Sequence, residues 1–82
     1  MAPEARAAGL LDAATHLLML ARALVQARRP LDLEGLDTLV GRACAACLDL
    51  PPQQGRALRP RVAALLAELD ALGEAIARGA RA

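Results

Sequence analysis

The sequence predicts an all-α protein, and three observations predict it. Ala (21) and Leu (17) fill 38 of the 82 positions, and with Arg, Glu and Gln they give a chain dominated by residues that lose little rotamer freedom in a helix. The β-branched residues that favour strands are scarce, with three Val, one Ile and two Thr, and Trp, Tyr and Phe are absent. Apolar residues recur every three or four positions, the helical period, over most of the chain. This length sets one domain as the ceiling. The expected architecture is a three-helix up-down bundle, or a helical hairpin completed by dimerisation, with coiled-coil-like heptad seams.

Punctuation places the elements. Residues 1–9 (MAPEARAAG) read as a flexible lead-in, 10–79 as a single helical domain and 80–82 as a tail. The first helix is expected over about 10–28, where Arg28 and Arg29 favour the negative end of the helix dipole and Pro30 stops it. Asp32 is a natural N-cap for a second helix over about 32–49, and Leu31 with Leu36 has the spacing of a hydrophobic staple. Pro51 and Pro52 end that helix, and Pro52 suits the first turn of a third helix over about 52–78, with Gly79 closing it. Pro60 either kinks the third helix or begins its main part, and Gly55 permits both.

The apolar spacing carries the packing. In the third helix Leu58, Val62, Leu65, Leu69, Leu72 and Ile76 are spaced 4-3-4-3-4, and in the second Leu33, Leu36, Val40, Ala43, Cys47 and Leu50 are spaced 3-4-3-4-3. These are the seams of a coiled coil or an antiparallel bundle. The first helix has a broader apolar face, through Leu10, Leu11, Ala14, Leu17, Leu18, Ala21, Leu24 and Val25, as expected of a helix packed between two others. Ala63, Ala64, Ala67 and Ala71 leave the back of the third helix free of charge and open to close approach.

Composition narrows function by exclusion. Ten basic residues, all Arg, stand against nine acidic ones for a net charge of +1. That lacks the basic excess of a nucleic-acid binder, and no aromatic ring is present for bases to stack on. Cys44-Ala45-Ala46-Cys47 is formally a C-x-x-C, but it falls near the C-terminal end of its helix, where the dipole opposes a thiolate, and no strand–helix alternation surrounds it. The cysteines are therefore expected to be buried and reduced, in preference to a thiol-redox or metal site. Two thiols and the single His16 fall short of four zinc ligands. The chain has no Ser, and Thr15 beside His16 points elsewhere on a helix, so no catalytic group is expected; Asp70 and Glu74 read as solvated surface. Arg56, Arg59 and Arg61 lack a glycine-rich phosphate loop and are expected to pair with Asp49 or with acids on a neighbouring helix. Asp12, His16 and Arg22 interrupt the apolar run 9–25, which also falls short of a membrane span, so the expected location is cytoplasmic.

What remains is contact chemistry. The interface candidates are Leu58, Val62, Leu65, Leu69, Leu72 and Ile76 on the third helix, and Met19 with Leu20, expected as an exposed apolar patch on the first. The expected role is a small non-catalytic helical protein–protein interaction module, acting as a homodimer or with a helical partner, without cofactor, metal, nucleic acid, membrane or small-molecule substrate. The Ala/Leu/Arg-rich, Lys-free composition suggests a GC-rich bacterial genome. The segment GRALRPRVAALLAELDALGEAI, about a quarter of the chain, resembles the long helices of small bacterial secretion or flagellar-export chaperones in composition and heptads. That resemblance implies an alternative role, holding an amphipathic helix of a client. A regulatory subunit whose folding completes on a partner is a third.

Overall fold

Pro3 occupies the first position of helix α1, where its missing N–H costs nothing, and Glu4 follows it at the positive end of the dipole. The computed structural model describes residues 2–81, with side chains described for 2–79. It is all-α: α1 is Pro3–Gln26, α2 Leu33–Leu48, α3 Pro52–Ala57 and α4 Arg59–Arg81, with no strand among the described residues.

The boundaries correct the sequence reading at three places. Residues 3–9 are the first two turns of α1 instead of a flexible lead-in, because Ala7 is fully buried in the core and Gly9 continues the helix on its open side. At its other end α1 stops at Gln26, two residues early, so Arg28 and Arg29 lie beyond the last turn. The Arg28 N–H donates to the Val25 carbonyl at 3.0 Å and the Arg29 N–H to the Leu24 carbonyl at 2.8 Å. This is a Schellman cap, with Arg28 at φ 58° in the left-handed position that glycine usually fills.

At Pro60 the chain takes the second of the two alternatives, a fresh helix start, which divides the third helix. The single helix expected over 52–78 is two, α3 and α4, and α4 runs past Gly79 to Arg81. Pro60 has no N–H for the Arg56 carbonyl and its ring crowds that carbonyl. The chain therefore tightens, with Leu58 N–H donating to Gly55 O at 3.1 Å, and restarts with Val62 N–H donating to Leu58 O at 3.0 Å. Pro60 falls in the first turn of α4, where its lost donor is harmless. Asp32 caps α2 as expected, its Oδ1 accepting from the Gly35 N–H at 3.1 Å, and Leu31 and Leu36 are both half-buried against the core.

α1 lies between its neighbours. It packs against both α2 and α4, whereas α2 and α4 scarcely meet. Ion pairs joining Asp12 to Arg61 and Arg22 to Glu68 advance together along the two chains, so α4 runs parallel to α1. α2 runs the other way, since its first turns lie by Leu20 and Leu24 and its last by Pro3 and Arg6. The core line of α1 is Ala7, Leu11, Ala14, Leu18 and Ala21, alternating small and large residues. From α4 come Leu58 at its entry, Leu65, Leu72 and Ala75; α2 adds only Ala43 as a fully buried residue, and Leu50 follows it. Burying a leucine such as Leu11, Leu18 or Leu65 contributes about 1.5–3 kcal/mol.

Candidate functional site

α2 covers less of α1 than the broad apolar face of α1 offers. Leu17, Leu20, Ala21 and Leu24 of α1 line a groove of about 440 Å³ whose other wall is Leu36 and Leu39 of α2. Leu20 is 60% exposed there, and Leu17 and Leu24 are exposed beside it. The groove follows from spacing: residues 17, 20 and 24 share one flank of the helix, turned away from the buried line through 11, 14, 18 and 21. An α2 that buried this flank would have to sit closer, with more than Ala43 turned fully inward.

Shape and surface agree with an unfinished core. The molecule measures 45 × 18 × 14 Å with a radius of gyration of 13.8 Å, against about 12 Å for a compact domain of this length. It exposes 5614 Å² of surface, roughly 1,000 Å² more than expected of a compact monomer of this mass. A standard interface takes about 800 Å² from each partner.

The predicted interface residues fall into different places. Leu58, Leu65 and Leu72 are core residues, so they are turned toward α1. Val62 and Leu69 are half-buried against that core, and Ile76 is 38% exposed. Met19 and Leu20 are both exposed, as expected, but they do not form one patch. Leu20 lines the α1–α2 groove. Met19 lies ~100° round the helix, on the flank where Arg22 reaches α4 and meets Glu68 Oε2 at 3.5 Å. Sequence reasoning missed the exposure of Leu17 and Leu24, assigned to the apolar face of the first helix, and of Leu33, assigned to the seam of the second, and it did not consider Leu48 or Leu66, which are also exposed. Spacing groups 17 and 24 on one flank and does not say whether a neighbour covers it.

The polar candidates are dispersed. Arg61 pairs with Asp12 of α1 at 3.2 Å, the neighbouring-helix acid expected for one of the three arginines near the start of α4. Glu74 stands 4.0 Å from Arg78, one turn on, and Asp70 is exposed. Cys44 is exposed, contrary to the expectation that both thiols are buried; helix geometry turns it away from the side that carries Ala43 and Cys47 inward. Cys47 is half-buried, and that burial, with the neighbouring Cys44 thiol second, pushes its own thiol above the usual range. A raised thiol keeps its proton and is a poor nucleophile at neutral pH. His16 is exposed on α1, and among the described residues no group of three or more His, Cys, Asp or Glu side chains is arranged to hold a metal. α1, at 24 residues, is long and apolar enough to cross a membrane by length and composition, more than the run 9–25 suggested.

Comparison with known proteins gives no match: no family model, no curated protein and no solved structure matches this chain.

Proposed function

We propose that this protein is a small non-catalytic interaction module that pairs with a second copy of itself through the α1–α2 face. The carrying observation is the groove in which Leu17, Leu20 and Leu24 stand exposed beside Leu36 and Leu39. A groove with three exposed leucines along one helix flank offers an apolar helix face a place to pack. Its lining is mostly leucine, with Asp32 as its one charged residue, which suits a like apolar surface. The elongated molecule exposes enough surface to contribute one partner's share of a standard interface.

In this reading the heptad-spaced lines of α2 and α4 are seams of an up-down-up bundle within one chain, and the dimer completes the side that α2 leaves open. The proposed location is the cytoplasm. The ion pairs that α1 makes with α4 from mid-helix support an aqueous setting, since charges there are costly in a bilayer. A helix from another protein is the second reading, because the same groove accepts any apolar helix face.

Thermal melting followed by far-UV circular dichroism tests the proposal. Self-association stabilises the folded state by mass action. The melting midpoint of the native chain is expected to rise with protein concentration, and that of Leu20→Glu to stay flat. A midpoint of the native chain that does not move over a hundredfold range, about 2.7 kcal/mol of linkage for a tight site, would overturn it.

A further inference from the structure

Because α1 and α4 run parallel, their C-terminal ends come to one end of the molecule, beside the first turn of α2. A groove of about 600 Å³ opens there. Its floor is apolar, built from Val25, Leu33 and Ile76, and both Leu33 (54%) and Ile76 (38%) are left exposed although each belongs to a heptad line. Its rim carries three guanidinium groups, Arg28, Arg29 and Arg78, and no acidic side chain. Among the described residues Arg28 and Arg29 make no ion pair, and the one partner of Arg78 is Glu74 at 4.0 Å, with both side chains more than half exposed. The nearest cap, Asp32, is engaged with the Gly35 N–H and lines the α1–α2 side instead. The negative dipole ends of α1 and α4 offset roughly one of the three charges, which leaves the rim positive.

We propose that this end groove docks an acidic amphipathic helix of another protein, with apolar side chains of one face on Val25, Leu33 and Ile76 and flanking carboxylates on the three arginines. Guanidinium groups grip carboxylates through paired N–H donors, and an apolar floor takes residues at i, i+3 or i+4 and i+7. The groove is shallow and open, which suits side chains laid across it from a helix and gives an acyl chain no enclosed tube. The site adjoins the α1–α2 groove at Leu31, which lines both, and its three arginines lie outside that groove.

Fluorescence anisotropy with a labelled Leu/Ala/Glu amphipathic peptide of about 18 residues, long enough to hold a helix, tests it. The controls are the same peptide with Gln for Glu, and vesicles containing phosphatidylglycerol. The native chain is expected to bind the acidic peptide, more weakly at high salt. Each of Arg28→Gly, Arg29→Gln and Arg78→Gln is expected to weaken binding about threefold, the scale of an exposed ion pair, and the triple variant more than tenfold. Arg56→Gln, a charge-matched change on α3, is expected to leave binding unchanged. Equal binding of the Gln peptide, an unaffected triple variant, an equal loss with Arg56→Gln, or binding to the vesicles but not to the peptide would each overturn the proposal. Circular dichroism of every variant separates lost binding from lost fold.

Discussion

Among the described residues, Arg28 is the one whose backbone conformation is least suited to its side chain. At φ 58° it occupies the left-handed end of the α1 cap, a position that costs a non-glycine residue roughly 1–2 kcal/mol. Arg28→Gly is expected to raise stability by about 0.5–1 kcal/mol, part of the strain relief being offset by the freer unfolded chain. A urea midpoint that moves upward checks this; one that falls would mean that the guanidinium makes a stabilising contact larger than the strain. The two cysteines, three positions apart, differ in another way. Burial first, and the Cys44 thiol second, raise the Cys47 thiol. Folded chains therefore keep the Cys47 proton to higher pH than unfolded ones, and stability is expected to fall as pH rises through the alkaline range. Alkylation under native conditions is expected to label Cys44 before Cys47, read by peptide mass; equal labelling rates would contradict the burial of Cys47.

Among the three long helices, α2 is the least secured, since nearly all its packing is on α1 and Ala43 is its one fully buried residue. Two glycines within it make a controlled pair. A methyl at Gly41 meets nothing within 4 Å, so Gly41→Ala is expected to gain about 0.5–1 kcal/mol of helix propensity. A methyl at Gly35 would stand 2.6 Å from Asp32 Oδ2, the carboxylate that caps the helix. There the same propensity gain is offset by a weakened cap worth about 1 kcal/mol, and no net gain is expected. Denaturant midpoints of the two variants decide the matter, and equal gains would show that the cap contributes little. Local chemistry made the start of α2 legible in the sequence, because Asp32, Leu31 and Leu36 act within one turn. Proline at position 60 was legible as a break and ambiguous in kind, since a kink and a restart differ by which carbonyl the chain can satisfy nearby. The early start of α1 was hidden: Gly9 signals fraying locally, and only the burial of Ala7 by other parts of the chain outweighs it.

At the scale of the whole molecule, the helical class was legible because composition and period agree along the chain. Which face of α1 stays open was not, because spacing shows that Leu17, Leu20 and Leu24 share a flank and is silent on how closely α2 approaches it. The same limit split Met19 from Leu20, which are neighbours in sequence and lie on different flanks. The division between core and face gives paired substitutions. Leu65→Ala, in the core, is expected to cost about 2–5 kcal/mol, and Leu20→Ala, on the open face, to change the stability of the isolated chain by no more than about 0.5 kcal/mol. Similar losses at both, read in dilute solution, would place Leu20 in the core.

On the proposed reading, a second copy covers the open α1–α2 face. Mass in solution by light scattering with refractive-index detection tests it most directly, since the chain has no Trp or Tyr to absorb at 280 nm. Runs with and without reductant and chelator remove disulfide and metal bridges as causes. Twice the 8.5 kDa chain mass is expected in every run, returning to the single mass in Leu20→Glu. A single-chain mass at all concentrations, or a dimer that reductant or chelator dissolves, would contradict it.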